Sequence, residues 1–161
     1  NLNYPTGNQL RERSAPIIQE ALEAVGIKVD LRAPKEMSVY VEELDDDTLE
    51  WDMYLLGWSL ASGDPDPLGL WGITDAYNYS RWNNEESQKL LEEAIQAPEA
   101  FEQDYRKEKY SEWTHLFSDD LPALILYAQN KIWVHKSAMQ NVDPSPYSMF
   151  RNPHLWWLDE Q

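Results

Sequence analysis

Apolar and polar positions along this chain fall into a strand, helix, strand order. Leu2 to Tyr4 alternates and runs into Pro5-Thr-Gly-Asn8, which predicts a strand followed by a turn. Ile17, Ile18, Ala21, Leu22 and Val25 share one helical face, and Gly26 follows, where a left-handed C-terminal residue belongs. Pro16 leaves two starts open: Ser14 caps the helix with Pro16 in its first turn, or the helix begins near Gln9 and is kinked. Ile27, Val29 and Leu31 then alternate with Lys28, Asp30 and Arg32, predicting a strand with one polar side that Pro34 ends.

Residues 35–50 carry Met37, Tyr40, Val41 and Leu44 at helical spacing, and the acids Asp45, Asp46 and Asp47 near the far end oppose the helix dipole. Met53 to Leu56 is almost wholly apolar, which predicts a central strand covered on both faces. A loop-rich stretch runs from Gly57 to Arg81, with one helical turn at Leu68 to Trp71. A helix over 84–97 rests on Leu90, Leu91, Ala94 and Ile95, with Asn83 or Asn84 as its cap. Pro98 separates it from a second helix over 99–117, built on Phe101, Tyr105, Tyr110, Trp113 and Phe117. Leu121 to Tyr127 and Ile132 to Val134 look like strands, and the tail from Met139 has no regular period. The alternation argues for an α/β layer architecture.

With 161 residues, one domain is the default, and 42% apolar with 26% charged residues speaks against disorder. The longest apolar runs fall far short of the ~20 residues of a membrane span. Thirteen basic against 29 acidic residues give a net charge of −16, which repels phosphate backbones and argues against nucleic acid or an anionic membrane surface as partner. The absence of cysteine rules out thiol chemistry and fits any compartment. The chain opens on Asn1 without an initiator Met and so reads as a piece of something longer, with room for a signal peptide upstream.

Candidate chemistry is sparse. Asp64, Asp66, Gly69 and Asp75 fall at positions 1, 3, 6 and 12 of a calcium loop, but Leu68 occupies position 5, prolines stand at 2 and 4, and the closing Glu is an Asp. The simpler reading makes Asp64-Pro65 and Asp66-Pro67 turn makers. His115, His135 and His154 lie about twenty residues apart, without a second ligand at helical spacing. Nucleophile elbow, phosphate loop and dinucleotide motifs are all missing. A glycosidase pair among the acids has nothing to single it out. More telling are eight Trp and nine Tyr against three Phe, a skew toward rings that work at half-wet surfaces. Trp113, Tyr110 and Trp133 fit helix or strand packing. Trp58, Trp71, Tyr77, Tyr79 and Trp82 instead crowd the loop after the buried strand, at the end where open α/β sheets take ligands.

The order of these pieces resembles the C-terminal lobe of the extracellular solute-binding proteins that feed peptide ABC transporters, the oligopeptide-binding family. The matching residues are Asn3-Tyr-Pro-Thr-Gly-Asn8, Ala21-Leu-Glu-Ala-Val-Gly-Ile-Lys-Val-Asp-Leu31, Trp51-Asp-Met-Tyr-Leu-Leu-Gly-Trp58, Asp64-Pro65, Asn78-Tyr79, Asn83, Leu90-Leu91 and Leu121-Pro-Ala-Leu124. Gly57 to Pro67 with Asn78 to Arg81 is most similar to Gram-positive, cell-surface lipoprotein members.

The resemblance implies one lobe of a type II periplasmic-binding-protein-like fold, a mixed central sheet flanked by helices. Residues 1–130 would form the ligand-binding lobe and 131–161 a return segment packing on the other lobe, Trp156 and Trp157 included. It implies an extracellular monomer that binds oligopeptides and passes them to an ABC permease, with no catalysis and no cofactor, tied to the membrane only by an upstream lipid anchor. By the same resemblance Trp58 lies against the ligand, Ser59, Leu60, Ala61 and Ser62 offer backbone contacts, and Asn78, Tyr79 and Arg81 are weaker site positions. Related binders of dipeptides, nickel or sugars, and a carbohydrate-binding module or glycosidase, are the alternatives. Two family anchors are missing: Leu55 stands where short-peptide binders have an arginine, and Ala61 where they have an aspartate for the peptide's amino end, although a small gap would bring Asp64 close to that position. Peptide ends would then go unmeasured and longer peptides would be tolerated.

Overall fold

The computed structural model describes residues 1–46, 50–59, 64, 66–145 and 147–159. Its centre is a short parallel sheet. Strand β1 (Leu2–Asn3) pairs with β2 (Met53–Tyr54), Leu2 opposite Met53 and Asn3 opposite Tyr54. On its other side β1 bridges to Leu31, with Leu2 N donating to Asp30 O and Arg32 N to Leu2 O. The order across the sheet is therefore Leu31, β1, β2. The expectation that Met53 to Leu56 is the central strand is corrected: β1 lies in the middle. Burial on both faces, which the apolar run reports, says nothing about which lateral edge of a strand is paired.

Both faces are indeed covered. On one, helix α1 (Gln9–Glu23) packs Ala15, Ile18 and Leu22 against Leu2, Val29, Leu31, Met53 and Leu55. On the other, helix α2 (Met37–Leu44) packs Tyr40 and Leu44 against Tyr54, Leu56, Trp51 and Tyr79. Successive residues of β2 and its extension thus serve opposite cores, as the period of two requires.

Of the two starts for α1, the earlier is adopted. Asn8 caps it, accepting from Arg11 N at 3.1 Å, and Pro16 sits inside the helix. The buried stripe is narrower than the predicted face, since Ile17 and Val25 are exposed. The segment after Gly26, which takes φ +87°, bridges to β1 at Leu31 and, through Lys35, to Pro5 beyond the end of β1. Helix α2 is shorter than residues 35–50 suggested, ending at Leu44 just before the acidic run.

Helical turn α3 (Leu68–Trp71) falls where expected. Helix α4 (Glu85–Gln96) is capped by Asn84, whose Oδ1 accepts from Ser87 N at 3.0 Å. Pro98 opens a 3-10 turn over Pro98–Phe101, and α5 (Gln103–Asp120) follows, ended by Leu121 at φ +48°. Leu90, Leu91 and Ala94 of α4 are buried, and Trp71, Trp82 and Trp113 converge on Phe117 with ring centroids 4.7–5.6 Å away. Phe101 departs from its predicted stripe and is 96% exposed.

The strands expected at Leu121–Tyr127 and Ile132–Val134 do not form, and Leu124, Ile125, Ile132 and Val134 are exposed. Strand propensity needs a neighbouring strand to be realised, and none flanks this stretch among the described residues. The aperiodic tail instead contains an antiparallel pair, β3 (Met139–Gln140) with β4 (Trp157–Leu158).

Candidate functional site

The strands of the sheet run parallel, so their C-terminal ends open on one side, and the chain leaves β2 there through Leu55, Leu56 and Gly57 to reach Trp58. The Trp58 indole is 44% exposed. It stacks on Tyr79 with centroids 6.0 Å apart and planes 17° apart, and leans on Tyr77 at 5.1 Å. Tyr79 is buried against Tyr40 and Leu44, so it is a fixed back wall, while Tyr77 is exposed beside the indole. Two amphipathic rings thus face water over a rigid base, an arrangement that offers apolar area at low entropic cost.

The base is held by hydrogen bonds that close the ends of the strands. Tyr40 Oη lies 3.1 Å from both Asn3 O and Leu55 O, and burial pushes its hydroxyl far above the usual tyrosine range. Burial also pushes the Tyr79 hydroxyl up to about 12, helped by the Asp45 carboxylate to which it hydrogen-bonds.

Four polar residues of the neighbourhood are engaged by the fold itself. Asn78 Nδ2 donates to Gly72 O at 3.1 Å and Trp82 O at 2.9 Å, while its Oδ1 accepts from Ser80 Oγ at 3.0 Å and Trp82 N at 3.1 Å, which uses its full capacity. Arg81, at φ +53°, donates from Nη2 to Leu44 O at 3.0 Å and Asp46 O at 2.8 Å, satisfying carbonyls at the end of α2, and from Nη1 to Tyr79 O at 2.9 Å. Asp64 pairs with Arg106 of α5, which also donates to Tyr110 Oη at 2.9 Å. Asp66 Oδ1 accepts from Leu68 N at 2.8 Å at the start of α3, the turn-making role expected of it. Among the described residues no three metal-ligating side chains come together.

Of the residues singled out in the sequence, the structure brings Trp58 and Tyr79 together and leaves Ser59 exposed beside them. Asn78 and Arg81 lie in the same loop, turned toward backbone carbonyls. Leu60, Ala61 and Ser62 lie outside the described residues. Arg11 did not stand out in the sequence, yet its guanidinium reaches the site from α1: a Cβ added at Gly57 would stand 3.0 Å from Arg11 Nη2. The only sequence signal for it was a basic residue in the first turn after a strand and an Asn cap.

Comparison with known proteins places this geometry. The family model described as bacterial extracellular solute-binding proteins, family 5 Middle, matches residues 1–81. The oligopeptide-binding protein AppA of Bacillus subtilis (strain 168) is 30% identical over 158 residues, which is 94% of this chain and 28% of that protein. The structure of B. subtilis AppA in complex with a nonapeptide superposes with a TM-score of 0.75 at 27% identity, covering 99% of this chain and 31% of the other. A putative peptide binding protein AppA from Clostridium difficile shares the fold, with a TM-score of 0.78 at 20% identity over 98% of this chain and 33% of its own. The chain spans under a third of the length of these relatives. The mixed α/β architecture is that of the type II periplasmic-binding fold. With the family model covering half of its residues, the chain belongs to the bacterial extracellular solute-binding proteins of family 5.

Proposed function

We propose that this chain is the ligand-binding lobe of an oligopeptide-binding protein that captures peptides outside the cell and hands them to an ABC permease. The observation that carries the reading is the half-exposed Trp58 stacked on buried Tyr79 beyond the parallel strand ends, in a chain related to a protein whose structure holds a nonapeptide. A flat indole over a fixed wall suits an extended peptide, whose main chain every sequence shares, so such a site binds broadly. Trp58 lies against the ligand, Ser59 to Ser62 supply backbone contacts, and Tyr77 widens the platform. Tyr79, Asn78 and Arg81 act behind it by holding the loop.

Residues 1–130 form the lobe in this reading, and 131–161 return to pack on the rest of a longer protein. The exposed Ile132, Val134, Trp157 and Leu158 support that division, because water-facing apolar residues in such number fit a covered surface. The protein acts as a monomer without catalysis or cofactor and is held at the cell surface by a lipid anchor. No helix among the described residues is long and apolar enough to cross a membrane.

Calorimetry of the full-length protein against a mixed peptide library and an oligosaccharide set tests the reading. Heat with peptides alone is expected. Heat with sugars alone, or turnover of either set, would overturn it.

A further inference from the structure

Arg11 is a half-buried cation beside the site. It stands in the first turn of α1, with its side chain against Gly57, the residue before Trp58, and close enough to Tyr40 to act on that hydroxyl electrostatically. Gly57 leaves the space: any side chain there would press on the guanidinium. Most other cations in this strongly acidic chain have found carboxylates. Arg32 pairs with Asp30, Lys35 with Glu43, Arg106 with Asp64, Lys109 with Glu93 and Arg151 with Asp143. Arg11 has no hydrogen-bonded or ion-paired partner for its guanidinium among the described residues. The neighbouring acid, Glu12, is occupied with Gly7 N at 2.8 Å. A charge that loses part of its hydration without gaining a partner is costly to the fold, and such groups cluster at binding sites.

We propose that Arg11 receives a carboxylate of the bound peptide, so that this protein prefers ligands with a carboxylate near the Trp58 platform. The proposal rests on the peptide-binding reading above. The guanidinium fork matches a carboxylate in two parallel hydrogen bonds, which sets it apart from a backbone contact that any peptide makes. It also supplies a positive anchor where Leu55 provides none. Two sources present the same chemistry, an acidic side chain and the peptide's C-terminus.

The test is calorimetry of the full-length protein with alanine-rich nonapeptides carrying one Glu at each position in turn, their Gln counterparts, and C-terminally amidated versions of both. With the unsubstituted protein, replacing Glu by Gln at one position, or amidating the end, is expected to weaken binding about tenfold. The arm that responds identifies the source. In Arg11→Gln the same change is expected to cost less than twofold, while affinity for the amidated Gln peptides stays within twofold of the unsubstituted protein. Arg11→Lys, which keeps the charge and loses the fork, is expected to fall between, and retained Gln-peptide binding shows that both variants are folded. Equal binding of all peptides by the unsubstituted protein would overturn the proposal, as would a carboxylate preference that survives in Arg11→Gln. Failure of the unsubstituted protein to bind any of the peptides would instead overturn the peptide-binding reading and this proposal with it.

Discussion

Arg81 donates to the carbonyl of Leu44 across 3.0 Å, joining the loop that carries Tyr79 to the end of α2, where Leu44 and Tyr79 share one core. A residue that reads as a ligand contact by resemblance is thus also engaged with carbonyls at the end of α2. Arg81→Ala should lower stability by about 1 kcal/mol through lost hydrogen bonds to carbonyls. Arg81→Gly should lose less, because φ +53° is free of steric cost for glycine. Urea unfolding of the two variants checks this, and a glycine variant no more stable than the alanine variant would count against it.

Tyr79 gives the fold an alkaline limit. Its pKa is raised to about 12 from the usual 10.0, first by burial and then by Asp45. Above pH 10 the unfolded chain loses this proton while the folded chain keeps it, so the contribution is complete below pH 10 and declines as pH rises toward 12. Tyr40, shifted in the same direction, adds to the decline. Thermal midpoints measured from pH 9 to 12 should fall, and fall less steeply in Tyr79→Phe.

Trp58 should matter to the ligand far more than to the fold. Its indole is half exposed, so Trp58→Ala is expected to leave the thermal midpoint nearly unchanged while weakening peptide binding about tenfold or more. Trp58→Phe should retain part of the affinity. A Trp58→Ala protein with undiminished affinity would remove the indole from the site.

Asp64 is paired with Arg106. With Leu55 and Ala61 at the family's other charged positions, acetylating a peptide's amino terminus should change its affinity less than threefold. Titration with matched free and acetylated peptides decides this, and a tenfold loss on acetylation would mean that an amino-end anchor exists.

Leu91 is fully buried between helices, and Leu91→Ala should cost about 3 kcal/mol. Ile132 is 84% exposed in this chain. If residues 131–161 pack on the rest of a longer protein, Ile132→Ser in the full-length protein should cost more than about 1 kcal/mol, whereas a solvent-facing site would change by no more than about 0.5 kcal/mol. Denaturant unfolding of the full-length variants distinguishes the two.

Local rules written in the sequence determined a good deal of this protein. Apolar spacing located α4 and α5 to within a few residues and α2 at its start, Asn and Pro marked the ends of α4, and the nearly all-apolar Met53 to Leu56 foretold a strand with a helix over each face, although its side chains are only partly buried. The crowd of Trp and Tyr after it divides in the fold: Trp58, Tyr77 and Tyr79 gather beyond the strand ends as the candidate site, whereas Trp71 and Trp82 pack on Phe117.

What the tertiary structure alone decided are relations between distant segments. Side-chain periodicity reports which faces of a strand are covered but not which edges are paired, so only the fold could put β1 between Leu31 and β2. The same holds for polar side chains: Asn78 and Arg81 could each serve a ligand or a backbone carbonyl, and Asp64 a ligand or a cation of the fold, and the choice depends on which partner lies within hydrogen-bond reach after folding. It holds for Arg11, which beside Gly57 has no hydrogen-bonded or ion-paired partner among the described residues, and for Leu121 to Val134, whose strand-like composition finds no neighbouring strand among them. A hydrogen bond is short-ranged and directional, so its partner is fixed by three-dimensional position, which the order of residues constrains only through the whole fold.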